Sequence, residues 1–310
     1  MPDTDLYPAV LAPFTARDGE NLALYEWPPD AWADEAGLDA APPRAVVLIV
    51  HGLGEHAGRY EHVARQLMRW GFAVRAYDQR GHGESGGVRG VLPTETALLD
   101  DLAEVVDDTR LRGMRLANGI NASVAQQTPL PLILLGHSLG GLVVGRFVAL
   151  KIRSVEALVM SSPALDAGLG VFQKLLLAVG RTLTPNLCVG NGLDARYISH
   201  DEGVVRAYLA DRLVHSRISP RLGQFIASSG PATVAAASSW STPTLLMYAG
   251  ADRLVNPQGS RAFAANAVAT SVKPGTVTAR CFDGLYHELF NEADAAPVFE
   301  TLGSWLDARF

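Results

Sequence analysis

The sequence predicts an α/β fold in which a mostly parallel central sheet carries helices on both faces and a helical segment is inserted late in the chain. Three observations carry this. Continuous apolar, β-branched runs such as Ala45–Val50 alternate with helical patterns, and a strand covered on both faces is what a parallel sheet between helices requires. The stretch Pro131–Gly141 is one such strand, Leu132–Leu135, running through Gly136-His-Ser-Leu-Gly140 into a helix from Leu139 to Leu150. Between Ala164 and Ser238 helical patterns follow one another without strands, which is economically explained by an inserted helical cap. The expected organisation is therefore a core over 1–163, a cap over 164–238 and the rest of the core over 239–310.

The elements follow in order. Asp18-Gly19 separates short alternating stretches within residues 14–27, the signature of a hairpin at a sheet edge. Residues 28–44, rich in Pro, Ala, Asp and Glu, form a surface loop with room for one or two helical turns over 31–38. The strand Ala45–Val50 ends in His51-Gly-Leu-Gly54; a helix from about Tyr60 to Trp70, then Gly71 and the strand Phe72–Tyr77, complete a parallel crossover. Asp78-Gln-Arg-Gly-His-Gly83 leads to a long helical pattern from Thr94 to about Leu116, and a polar loop, Asn118–Pro129, delivers the chain to Leu132. A strand Ser154–Ser161 follows the Leu139–Leu150 helix. Beyond the cap, Thr244–Ala249 pairs with a helix over Gln258–Ala269, and Thr276–Phe282 with a helix over Ala293–Arg309. Within the cap, Val171–Leu183 has more apolar residues than one buried face needs, so it either packs the cap onto the core or presents a lipid-facing or acyl-binding surface.

Composition narrows the function classes. Of 310 residues 48% are apolar and 19% charged, which suits a globular chain with a large core. A net charge of −6 with no block of Lys or Arg leaves nucleic acid without an electrostatic partner. Cys188 and Cys281 lack metal-ligand spacing; buried small hydrophobes are the simple reading and a single disulfide the other. No basic stretch followed by an apolar one opens the chain, and no apolar run reaches the length of a membrane span, so the expectation is a cytoplasmic protein touching a membrane at most peripherally, through its cap. Three lysines against many arginines, with abundant alanine, fit a GC-rich bacterial source.

The chemistry centres on Ser138. Glycines two before and two after it permit a strand-to-helix turn in which a β-carbon at either place would clash, and the turn leaves the hydroxyl exposed with the Leu139 N–H free to bind an oxyanion. A serine hydroxyl is a weak nucleophile and needs a base, and the base needs an acid. Asp252 lies just past the strand ending at Ala249, where catalytic groups of parallel sheets collect. Asp194, Asp201 and Asp211 fall in the cap, and Asp283 occupies a turn with Gly284. His287 is the one histidine after Asp252 and follows the last strand. The second oxyanion donor is the N–H of Leu53. Gly81-His-Gly-Glu-Ser-Gly86 also fits G-x-G-x-x-G, with Asp100 and Asp101 downstream, but 87–93 separates it from the next helix. The early histidines, His51, His56, His62, His82 and His137, show no metal-binding spacing, so neither cofactor nor metal is expected.

Taken together these motifs resemble the monoglyceride lipase and lysophospholipase branch of the α/β-hydrolases, over most of the chain. His51-Gly-Leu-Gly-Glu-His-Ala-Gly-Arg-Tyr60 is similar to H-G-x-G-E-H-S-G-R-Y, Asp78–Gly83 to D-x-R-G-H-G, and Gly136–Gly141 to G-H-S-M-G-G. In the cap, Leu183-Thr-Pro-Asn-Leu187 and Tyr208–His215 resemble P-N-L and Y-x-x-D-P-L-V-H, with Arg212 in place of proline. The resemblance implies the α/β-hydrolase fold, a triad of Ser138, Asp252 and His287, and oxyanion donors at Leu53 and Leu139. It also implies hydrolysis of carboxylic esters of monoacyl lipids, monoacylglycerol or lysophospholipid, through an acyl-enzyme. A broad-specificity carboxylesterase, another reaction of the same fold and a non-catalytic ligand-binding relative are the alternatives. Glu55 matches an acid near the glycerol end of the family's pocket; with His137 and Phe290 it makes up the expected substrate-binding set. Phe290 stands where animal members carry a second histidine, which bears on head-group recognition.

Overall fold

The computed structural model describes residues 9–27, 43–118, 129–168, 170–269 and 275–310; most of the two polar loops at 28–44 and 118–129 lies outside the described residues. The N-terminal hairpin joins β1 (Val10–Thr15) to antiparallel β2 (Asn21–Trp27), and its turn uses Gly19 at φ 89°. The strands that follow are short, mostly apolar runs: β3 (Val46–Val50), β4 (Ala73–Tyr77), β5 (Leu132–His137) and β6 (Ala157–Ser161), every residue of which is buried. Between them lie α1 (Glu61–Arg69), α2 (Ala97–Asn118) and α3 (Leu139–Ala149).

Residues 171–236 hold α4 (Val171–Leu183), β7 (Val189–Gly190), α5 (Glu202–Ala210), β8 (Arg217–Ile218) and α6 (Pro220–Ala236). Then come β9 (Thr244–Ala249), α7 (Gln258–Ala269), β10 (Val277–Phe282) and α8 (Ala296–Asp307).

One eight-stranded sheet runs β1-β2-β4-β3-β5-β6-β9-β10; the hairpin is antiparallel to β4 and the six strands from β4 to β10 are parallel. This is the α/β-hydrolase architecture. Side chains alternate across the sheet as the pleat demands. Val46, Leu48, Val50, Leu132, Leu134, Leu158 and Leu246 pack with α2, α3, α6 and α7, while Val47, Ile49, Ile133, Leu135, Val159, Leu245 and Met247 pack with α1 and α8. The parallel strands all end at one edge, and there β5 turns into α3, β3 into the 51–57 loop, β9 into 250–257 and β10 into 283–292.

The 164–238 segment, expected to be an all-helical cap, departs from that expectation in two ways. It contains strands, since β7 and β8 pair antiparallel. Two-residue strands carry no hydrophobic alternation to find. In addition, α6 places Leu222 and Phe225 in the same buried cluster as α3 and α7, so it packs within the core layer. The cysteines are half-buried and free; Cys188 Sγ faces the Arg89 carbonyl at 3.2 Å, and neither is the fully buried residue expected.

Candidate active site

The turn between β5 and α3 explains itself sterically. A Cβ on Gly136 would lie 2.5 Å from the Gly140 carbonyl oxygen, one on Gly140 would sit upon the carbonyl oxygens of Val50 and His51, and one on Gly141 would meet Pro163 Cβ at 2.8 Å. With three glycines letting β3, β5 and α3 approach, Ser138 takes φ 52° and ψ −116°, a strained conformation for a residue with a β-carbon. The turn is pinned by Ser138 N–H donating to the Ser161 carbonyl (3.0 Å) and Ala164 N–H to the Ser138 carbonyl (2.9 Å).

The hydroxyl so presented lies 2.8 Å from His287 Nε2, and His287 Nδ1 lies 2.7 Å from Asp252 Oδ2. The other Asp252 oxygen accepts the N–H groups of Leu254 and Val255, both at 2.9 Å. Asp252 and His287 lie 114 and 149 positions after Ser138 in the chain; they meet it because the parallel strands β5, β9 and β10 end at the same edge of the sheet. Burial opposes ionisation of Asp252, but the imidazole and the two N–H groups outweigh it and hold the carboxyl below its ordinary range. Burial also opposes a charged His287; the Asp252 carboxylate outweighs that in turn, and the imidazole sits above its ordinary value. The proton on Nδ1 faces the carboxylate, leaving Nε2 to take one from Ser138. Of the other acids, Asp283 accepts from Cys281 Sγ (3.1 Å), Asp194 and Asp201 cap short helices, and Asp211 meets His56 Nε2 at 2.8 Å.

Leu53 lies on the β3 loop and Leu139 opens α3; among the described residues neither N–H has a hydrogen-bond partner in the chain. Leu53 lines the Ser138 cavity, of about 250 Å³, whose wall also takes in Glu55, His137 and His287 and, from the 164–238 segment, Leu193, Ile198, Leu209 and Val214. Burial and the neighbouring His287 push His137 down to about 3, so it is neutral, and its Nδ1 faces the Ser161 carbonyl at 3.1 Å. Phe290 is not brought to the cavity. Its ring is buried against Phe299, centroids 5.3 Å apart, and an aromatic three residues after His287 suits a core position as readily as a pocket.

Around Glu55, which the sequence singled out, stand Arg59, Tyr60, Glu288 and Glu292, which it did not. Glu55 accepts from Gly52 N–H (2.5 Å), Tyr60 Oη–H (2.7 Å) and Arg59 Nη1 (2.5 Å), so it braces the loop that carries Leu53. Burial works against its charge, yet Arg59 and the nearby histidines keep it below the ordinary carboxylate range. Arg59 also makes two bonds of 2.7 Å to Glu288. Glu292 accepts from Tyr286 N–H, His200 N–H (2.9 Å) and Ser199 Oγ (3.3 Å), and Glu288 N–H donates to the Ile198 carbonyl at 2.8 Å; these bonds tie the His287 loop to residues 198–200. Arg59 and Tyr60 belong to the motif that opens at His51, and Glu288 and Glu292 flank the run after His287, which is the signal that pointed to them.

The G-x-G-x-x-G at 81–86 uses its own backbone donors: Gly81 N–H reaches the Gly86 carbonyl, Ser85 N–H the His82 carbonyl and Glu84 N–H Asp78 Oδ2, while Asp101 pairs with Arg80. Among the described residues no group of three His, Cys, Asp or Glu is placed to hold a metal ion.

Comparison with known proteins bears on this arrangement. The family described as "Serine aminopeptidase, S33" matches residues 41–294. The chain belongs to this family of α/β-hydrolases. Within it, the chain is 35% identical over 297 residues to the monoacylglycerol lipase of Mycolicibacterium smegmatis, covering 94% of this chain and 95% of that one. Among solved structures, the monoacylglycerol lipase of Paleococcus ferrophilus matches with a TM-score of 0.74 at 29% identity, covering 97% of this chain and 99% of that one. A soluble variant of the Saccharomyces cerevisiae monoglyceride lipase in complex with a substrate analog matches at TM-score 0.82 and 18% identity, covering 99% and 97%, and shares the fold. The chain is thus a family member of the monoglyceride lipase branch, with the motif residues of that branch gathered at one sheet edge.

Proposed function

We propose that the chain is a serine hydrolase cleaving the ester bond of monoacyl lipids through an acyl-enzyme. The observation that carries this reading is the unbroken line from Ser138 Oγ to His287 Nε2 and from Nδ1 to Asp252, beside two N–H groups free to bind an oxyanion. Ser138 attacks the carbonyl as His287 takes its proton; the oxyanion is held by the N–H groups of Leu53 and Leu139. His287 returns the proton to the departing alcohol, and water, activated by the same imidazole, releases the fatty acid. Asp252 fixes the tautomer and stabilises the imidazolium. The apolar wall of Leu53, Leu193, Ile198, Leu209, Val214 and Leu254 suits an acyl chain, and the relatives named as monoacylglycerol lipases support that substrate class.

Residues 164–238 act in this reading as a cap over a core of 1–163 and 239–310. Val179, Leu183, Leu187 and Leu209 of the cap are exposed apolar side chains that support peripheral contact with a lipid surface, and among the described residues no helix is long and apolar enough to cross a membrane.

The test is turnover of 1-oleoylglycerol, p-nitrophenyl butyrate and an aminoacyl p-nitroanilide side by side. The two esters are expected to be hydrolysed and the amide not at a comparable rate; an amide turned over as fast as the esters would overturn ester hydrolysis as the activity.

The pH dependence follows from His287. The base works only when neutral, and Asp252 holds its pKa above the ordinary value of 6.5. kcat/KM for p-nitrophenyl butyrate is therefore expected to fall on acidification with a midpoint above 6.5, whereas Asp252 stays ionised across that range. A midpoint well below 6.5 would contradict the His287–Asp252 coupling.

A further inference from the structure

The polar end of the cavity is unusual in its charge. Glu55, Glu288 and Asp211 line it, and Arg59, the guanidinium bonded to Glu55 and Glu288, is not part of the wall. Arg59 sits behind Glu55 and Glu288 with its side chain 11% exposed, its Nη1 bonded to both carboxylates, its Nη2 to Glu288, and its plane over the Tyr208 ring at 4.8 Å. The guanidinium is consumed by the protein, and what an incoming group meets is carboxylate. The wall stands close to the nucleophile: a Cβ on Gly52 would lie 2.8 Å from Glu55 Oε1 and 3.2 Å from Ser138 Cβ, and Glu288 directly follows His287. Carboxylates outnumber guanidinium groups here, and His56 Nε2 lies 2.8 Å from Asp211 Oδ2.

Resting on the ester-hydrolase reading above, we propose that Glu288 is a specificity-determining residue: by holding Arg59 in a two-point ion pair behind the wall it denies that guanidinium to substrate, and esters whose alcohol carries a phosphate are excluded. An arginine facing a substrate is the usual means of recognising phosphate, through two parallel N–H···O bonds. Here both bonds are taken by Glu288. A uniform hydroxyl-bearing alcohol meets no such penalty, since the same carboxylates can accept its hydrogen bonds. For a charged head group, one unit charge about 6 to 12 Å away at an effective dielectric of about 20 changes binding by about 10- to 100-fold.

The matched substrates are glycerol 1-butyrate and its 3-phosphate counterpart, both soluble as monomers, so that no lipid surface enters the comparison. In the wild-type protein kcat/KM is expected to favour the neutral ester by about 100-fold. Glu288→Gln removes one negative charge and frees Arg59, and the ratio is expected to fall by about tenfold or more. The double variant Glu288→Gln/Arg59→Gln removes the freed cation and is expected to restore it. Glu288→Asp keeps the charge at a shorter reach and is expected to keep the wild-type preference. A wild-type ratio near one, or a ratio unmoved in Glu288→Gln, would overturn the proposal. So would loss of both activities in Glu288→Gln and Glu288→Asp alike, because that marks Glu288 as a prop of the His287 loop. If wild-type protein hydrolyses neither ester, ester hydrolysis itself fails; if it hydrolyses both equally, only the role of Glu288 does.

Discussion

Ser138→Ala is expected to lower kcat for p-nitrophenyl butyrate by about a million-fold, the loss seen when the nucleophile of a serine triad is removed. The fold should survive it. The strain at φ 52° comes from the β-carbon, which alanine shares, and the Ser138 side-chain oxygen is bonded to His287 alone, so no buried packing is lost. Circular dichroism and the thermal midpoint are expected to stay close to wild type, and a fluorophosphonate probe that labels the wild-type protein should no longer attach. Activity retained at a comparable rate would show that another residue attacks the carbonyl.

Asp252→Asn is expected to cost about four powers of ten in kcat, because an amide in place of the carboxylate favours the wrong imidazole tautomer and withdraws the charge that stabilises the imidazolium. The acid limb of the pH profile should move down with it, since Asp252 is what raises His287. Asp283→Asn provides the contrast. Asp283 accepts from Cys281 and not from His287, so its change is expected to leave turnover within a few-fold of wild type. If Asp283→Asn were the damaging substitution and Asp252→Asn mild, the assignment of the acid would be reversed.

Much of this was legible in the chain because it is enforced locally. Gly136 and Gly140 around Ser138 have a steric reason that holds whatever the rest of the protein does, and the structure puts carbonyl oxygens of Val50, His51 and Gly140 where their β-carbons would be. Most of the strands were visible because a strand buried on both faces is largely apolar; the buried Arg75 of β4 is an exception, paired with Glu26 and Asp108. Asp252 and His287 followed from position after late strands. Less visible was whatever depends on pairing across the chain. Arg59 and Glu288 are 229 positions apart, and nothing in either neighbourhood tells a buried ion pair from two solvated charges. Phe290 was assigned to the substrate on alignment with a motif, and its burial against Phe299 is decided by how α8 packs. The strands β7 and β8 are held by their partners alone.

The bonds from Glu292 to Ser199 and His200, and from Glu288 N–H to Ile198, have a bearing on how such an enzyme can diversify. The segment that walls the cavity is also a support for the loop that carries the base. Exchanging it for the corresponding segment of a relative would alter which alcohols and acyl chains are admitted and, unless residues 198–200 were kept or rebuilt to suit Glu292, the placement of His287 as well. Substrate range and catalytic rate are therefore not independent variables in this chain, and divergence in one is constrained by the need to preserve the other.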